Sequence, residues 1–133
     1  MTIFEPARPL WTSRILSLLR IAAALVFIEH GTQKLFGFPP GNGPHHLVLI
    51  SQTGLAGVIE TFGGLCLLLG LFTRVAAFFT SGEMAVAYFQ VHAPRGFWPV
   101  ANGGLSAVLY CFIWLYISAA GPGPWSLDAL RRK

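Results

Sequence analysis

Apolar residues dominate four stretches of this chain, and the breaks between them are rich in proline and glycine. The first stretch goes from about Ile15 to Phe36, close to the roughly 20 residues that a helix needs to cross a hydrocarbon core. It stops at Gly37-Phe38-Pro39-Pro40-Gly41-Asn42-Gly43-Pro44. Proline cannot continue a helix and glycine accepts left-handed backbone angles, so a loop is predicted there. The second stretch, about Leu47 to Phe72, has Glu60 as its sole charge and closes at Thr73-Arg74, which leaves room only for a tight turn. The third begins at Val75 and reaches His92, before Ala93-Pro94-Arg95-Gly96 and Pro99. The fourth runs from Gly103 to Ala120 and ends at Gly121-Pro122-Gly123-Pro124. The pattern predicts helices at about 15–36, 47–72, 75–92 and 103–120 within one domain, residues 1–133. The expected fold class is all-α: an integral membrane four-helix bundle with antiparallel, up-down topology.

Composition narrows the solvent. Hydrophobic residues make up 54% and charged ones 11%, with a mean hydropathy of +0.62, against about 25% charged in a soluble chain. A soluble protein of 133 residues has too little interior to hide that much apolar surface, so the lipid bilayer is the first expected partner. The net charge of +4 comes from nine lysines and arginines against five acids. Arg8, Arg14, Arg20, Arg131, Arg132 and Lys133 lie near the termini, a distribution that reads as orientation charge and not as a nucleic-acid surface. With four spans, these residues and Arg74 share one face, while Lys34 and Arg95 mark the other. The positive-inside rule then puts both termini in the cytoplasm. The first apolar run is long and has no small-x-small site before Glu29-His30, so it reads as a retained helix and not a cleaved signal. Gly54, Gly57, Gly63, Gly64 and Gly70 allow close approach, which predicts the second helix at the packed centre. Trp11, Phe97, Trp98 and Trp125 fall where aromatic anchors sit at an interface. Four short helices enclose little, so a homo-oligomer is expected.

Three glutamates, Glu29, Glu60 and Glu83, lie within these apolar stretches. An ionisable side chain at the centre of a membrane helix costs about 3 kcal/mol, and three cost roughly as much as a small domain's whole stability. They must be protonated, paired or turned to a polar interior. Antiparallel folding brings Glu29, His30, Gln33, Lys34, Gln52, Tyr88, Gln90, His92 and Asn102 to the outer half, with Glu60 and Glu83 near the middle and an inner half of Leu and Phe. His30 and Lys34, Glu29 and Gln33, and Met84, Tyr88 and His92 are spaced by four, so each set shares a helix face. Two uses remain open. Lys34 or Arg74 can pair with a glutamate and His30 with a carbonyl or Gln52, simply holding the helices; or the cluster is a site, the default for ionisable groups inside a membrane. As a site, Glu60 and Glu83 relay protons, His30, Gln33, Lys34, Tyr88, His92 and Asn102 contact the ligand, and Arg74 balances charge. Such groups can pass protons and hydrogen-bond the carbonyl oxygens of a quinone head group.

Other chemistries lack their residues. No Glu-x-x-His pair is present for a di-iron bundle, and no metal is expected. Cys66 and Cys111 are single thiols on different stretches, without a Cys-x-x-Cys, and read as small packing residues. His45 and His46 flank the first loop and read as solvated. There is no phosphate-binding loop, nucleophile elbow or dinucleotide fingerprint. No cofactor is expected to be held covalently or by a motif, and catalysis by this chain alone is not expected.

The run His30-Gly31-Thr32-Gln33-Lys34-Leu35-Phe36-Gly37 resembles the opening signature of the DoxX family. Gly54 to Ala77, with Glu60-Thr61-Phe62-Gly63-Gly64 and Gly70-Leu71-Phe72-Thr73-Arg74, is similar to its second. The likeness goes on through Met84, Ala87, Tyr88, His92, Asn102-Gly103-Gly104 and Leu109-Tyr110 to Ser126-Leu127-Asp128. In one departure, Leu105 stands where members commonly carry a glutamate, which would leave any site using that carboxylate incomplete. The resemblance implies a small multi-pass protein of the bacterial inner membrane, in a family associated with membrane redox complexes. The expected function is a non-catalytic subunit of a quinone-linked or other membrane oxidoreductase, with a membrane or peripheral redox protein as partner. The alternative is a small-solute carrier or a non-catalytic membrane scaffold.

Overall fold

The computed structural model describes residues 9–41 and 49–132, which contain helices and loops and no strand. Arg8, Asn42, His45, His46, Leu47 and Lys133 lie outside the described residues. Helix α1, Leu10–Phe36, begins ahead of the apolar run expected from Ile15 and ends on Gly37, whose φ of 67° needs no Cβ. Helix α2, Gln52–Leu69, is capped by Ser51, whose hydroxyl accepts the Gly54 N–H at 3.0 Å. Gly70, again left-handed at φ 67°, ends it before the expected Phe72. Helix α3, Thr73–Ala87, starts at once, so Arg74 lies in its first turn and not in the connection. The helix does not continue as expected to His92: Tyr88–His92 wind as a π turn and Ala93–Arg95 as a 3-10 turn. A short helix α4, Pro99–Asn102, and the left-handed Gly103 precede α5, Leu105–Ala120. Helix α6, Leu127–Arg131, closes the chain.

Helix α1 packs along α2, and α3 along α5, with α2 and α3 also touching. Rising positions on α1 meet falling positions on α2: Arg20 reaches Leu67, Ile28 meets Gly64, Gly31 meets Thr61, and Leu35 meets Gly57. A Cβ on Gly31 would stand 2.6 Å from the Thr61 backbone nitrogen, so the missing side chain sets the separation of the two helices. On the second pair, the Ser81 hydroxyl donates to the Cys111 carbonyl at 2.7 Å.

The exterior is apolar and the interior is partly polar. Phe62, Phe78, Phe79, Phe89 and Phe112 are exposed, whereas Arg20, Glu60, Thr73, Thr80 and Asn102 are buried. That inversion suits a hydrocarbon solvent, and α1 and α2 are long and apolar enough to cross one. Trp11, Phe97, Trp98 and Trp125 are exposed. Inside, the Phe27 ring packs 5.2 Å from Tyr110, and Tyr110 stacks 6.1 Å from Trp114, measured between centroids.

The end of the molecule that holds the α2–α3 turn corrects the expectation of a Leu and Phe inner half. Arg20 is 0% exposed and is not a surface charge. Its guanidinium donates to the carbonyls of Leu67 at 2.6 Å, Leu68 at 2.8 Å, Pro122 at 2.9 Å and Trp125. Two of the last carbonyls of α2 thus gain a donor from α1, that of Leu67 in addition to the Gly70 N–H at 3.3 Å. Asp128 does the reverse for α3: its carboxylate accepts the Phe72 and Thr73 N–H groups, each at 2.9 Å. Burial pushes the Asp128 carboxyl up, but its hydrogen bonds from Thr73 and Phe72 and the nearby Arg131 outweigh this and hold it below the usual aspartate range.

Candidate functional site

A cavity of about 680 Å³ opens between α1, α2, α3 and α5. Its polar wall is made by His30 and Lys34 on α1, Glu60 on α2, Glu83 on α3, and His92 in the π turn. Local geometry explains why these residues meet. His30 and Lys34 are one helical turn apart and project on one side of α1. Glu60 follows the close α1–α2 crossing at Gly31, which brings its carboxylate under the Lys34 ammonium. The Nζ to Oε1 distance is 2.5 Å, with Glu60 1% exposed and Lys34 29%.

The pairing is incomplete. Glu60 Oε2 and both oxygens of Glu83 are buried without a hydrogen-bond donor. The Glu83 carboxyl lines the same wall as that of Glu60 with no hydrogen bond between them; as two ionised carboxylates they have no proton to share, so a bond between them needs one. The His30 ring meets Tyr110 edge-on with centroids 6.0 Å apart. At the rim, the Gln52 amide donates to the Gln90 side-chain oxygen, tying α2 to the π turn.

The other residues expected at the ligand are used elsewhere. The Tyr88 hydroxyl donates to the Phe97 carbonyl at 2.5 Å. The Asn102 amide donates to the Gly96 carbonyl at 2.7 Å and to Tyr88, while its oxygen accepts the Gly104 N–H at 2.8 Å. Both side chains organise the loop between α3 and α5 and do not line the cavity. The spacing of Tyr88 with Met84 and His92 placed these three on one face, and Tyr88 and His92 do both border Gly104 and Asn102. Of the two, only His92 also lines the cavity, held by the contact of its Nδ1 with the Asn102 carbonyl at 3.2 Å. Gln33 turns back to donate to the Pro39 carbonyl at 3.1 Å. Arg74 donates to the Ser118 and Ala119 carbonyls at the end of α5 and makes no ion pair with a glutamate among the described residues. Glu29 is exposed and outside the cavity wall.

Two participants escaped the sequence reading. Tyr110 lines the cavity, and a phenol midway along an otherwise apolar helix was the available signal. Arg20 is the other; its signal was an arginine set inside an apolar run, between Leu19 and Ile21. Leu105 is 48% exposed and stands outside the wall, whereas its neighbour Ser106 lines it. The glutamate missing at that position therefore leaves the Lys34, Glu60 and Glu83 group untouched.

Among the described residues, no group of three histidine, cysteine, aspartate or glutamate side chains converges on a metal position. Cys66 and Cys111 are free thiols.

The family model described as DoxX matches residues 15–93. An uncharacterized protein of Haemophilus influenzae is 46% identical over 132 residues, 96% of this chain and 96% of that protein. An uncharacterized membrane protein of Mycobacterium tuberculosis is 32% identical over 126 residues, 83% of this chain and 77% of that protein. No solved structure matches significantly.

Proposed function

The chain belongs to the DoxX family, and from that premise we propose that it is a multi-pass subunit of a membrane redox complex, binding a quinone-like molecule in the cavity beside Glu60. In this reading the long helices cross the inner membrane as an antiparallel four-helix bundle, with both termini in the cytoplasm. The apolar exterior and the cationic ends support that placement. The catalytic cofactor belongs to a partner protein, since no motif for a flavin, haem or iron-sulfur cluster is present.

The observation that carries the proposal is Glu60, buried to 1% exposure, bonded to Lys34 through one oxygen and unpartnered at the other, on the wall of a cavity of about 680 Å³. Carboxyl groups in that setting exchange protons with a ligand or with each other. His30 and Tyr110, ring against ring, offer donors to a carbonyl oxygen, and Leu55, Ile59 and Met84 offer an apolar bed for the ring and tail.

Mass spectrometry of the protein isolated in mild detergent from its native membrane tests this reading. A quinone together with a flavin, thiol or metal redox protein is the expected result. Neither, in a folded preparation, turns the reading to the carrier or scaffold alternative. In the assembled complex, Glu60→Gln is expected to suppress turnover while leaving assembly intact; full turnover would remove Glu60 from the proton path.

A further inference from the structure

The polar wall of the cavity does not balance in charge. On the wall with the Glu60 carboxyl are Lys34 and His30 from α1, Glu83 from α3, His92 from the π turn, and Tyr110 from α5, with Glu29 acting on Tyr110 from outside the wall. Neither histidine makes an ion pair with a carboxylate among the described residues: His30 packs on Tyr110, and His92 contacts the Asn102 carbonyl. Lys34 is the one cation bonded to the pair among the described residues. It neutralises one carboxylate, and a second charge left uncompensated in a low-dielectric interior is strongly unfavourable. One further positive charge must be present whenever the protein is folded.

We infer that Glu60 and Glu83 form an exchange site for a single positive charge, occupied by a proton at rest and by the ammonium group of an amphipathic organic amine when ligand binds. The inference does not depend on the redox reading, although the resting proton is the one a relay would pass.

The atoms left unpartnered identify the class of ligand. Glu60 Oε2, Glu83 Oε1 and Glu83 Oε2 are acceptors with no donor, and an ammonium group carries three N–H donors and no acceptor. Lys34 already demonstrates the contact on the other oxygen of Glu60. A hard metal ion would require more oxygen ligands than this wall supplies. The remaining wall, with Phe27, Leu55, Ile59 and Val91, suits a hydrocarbon or aromatic body.

The exchange conserves charge. The O–H bond of the protonated carboxyl breaks, its proton leaves to water, and N–H···O contacts from the incoming ammonium replace it. Because binding expels a proton, the affinity for a permanently protonated amine rises with pH until the resting proton is lost, then levels off.

The test is calorimetric titration of 4-phenylbutylammonium into the full chain in detergent, in two buffers with different heats of protonation, with 4-phenylbutanol as the neutral control. The expected result is release of about one proton per amine bound, with the alcohol weaker by about tenfold or more. Infrared spectra of the same samples should show the protonated carboxyl band fading as amine is added. Glu83→Gln, checked for folding by its melting curve, should lose proton release and bind the amine about tenfold more weakly. Amine uptake without proton release, equal binding of amine and alcohol, or no binding of either overturns the inference. Each of these leaves the redox reading to be decided by the copurifying quinone and partner.

Discussion

The guanidinium of Arg20 lies 2.6 Å from the carbonyl oxygen of Leu67, so a cation carried by α1 closes the C-terminus of α2. The same side chain holds Pro122 and Trp125, which places the chain's last segment against both helices. One arginine thereby serves carbonyls of two segments, the end of α2 and the last segment of the chain.

Replacing Arg20 by Leu orphans the Leu68, Pro122 and Trp125 carbonyls at once and leaves that of Leu67 only the Gly70 N–H at 3.3 Å. Each buried orphan costs about 1–3 kcal/mol, so a loss of at least about 3 kcal/mol is expected in thermal or denaturant unfolding in detergent. Arg20→Lys should recover only part of it, because an ammonium lacks the planar fork that spans diverging carbonyls. An unchanged melting temperature in the leucine variant would mean that water or other donors serve these carbonyls.

Lys34 and Glu60 should behave as a coupled pair. Lys34→Met leaves a buried carboxylate without its cation, at a cost of about 3 kcal/mol or more. Combining it with Glu60→Gln should restore most of the loss, since the neutral amide needs no counter-ion. Additive costs in the unfolding of the two single variants and the double variant would show that the 2.5 Å contact carries no net coupling.

Glycines in different settings should respond oppositely to alanine. At Gly31 the new Cβ meets the Thr61 hydroxyl at 2.5 Å and its backbone nitrogen at 2.6 Å, so α1 and α2 must separate and stability falls. At Gly82 nothing lies within 4 Å, and alanine should stabilise α3 by up to about 1 kcal/mol through helix propensity. Melting temperatures of the two variants give the comparison, and a tolerated Gly31→Ala would show that the helices approach less closely.

Asp128 should make the end of the molecule that bears the α2–α3 turn sensitive to acid. Its folded pKa lies below the ordinary 3.8, so its contribution is fully present above that value and is lost as pH falls through the lower, folded one. Stability measured between about pH 6 and pH 2 should decline less steeply in Asp128→Asn than in the parent. Parallel curves would mean that the Phe72 and Thr73 N–H groups gain nothing from the charge.

Local features of the sequence carried over well. The proline and glycine breaks around Gly37 and Gly121 separate helices, and Gly31, Gly57 and Gly64 line the α1–α2 contact. His30 and Lys34 share a face of α1 because four residues are about one turn. Tyr88 and His92, also four apart, both border Gly104 and Asn102, although the winding there changes to a π turn that the spacing does not record.

By itself, the sequence determined that the chain is helical and apolar on the outside, that a few carboxylates and cations lie within its apolar stretches, and that glycine permits close approach. These properties depend on composition and on neighbours within one turn. Only the tertiary structure decided which polar atoms meet. Arg20 became a cap and not a surface charge, Lys34 took Glu60, and Asn102 and Tyr88 were claimed by their own loop. The physical reason is that a hydrogen bond needs its partners within about 3 Å and in line. Helix rotation, close crossings and loop carbonyls set that geometry, and no periodicity along a single helix encodes them.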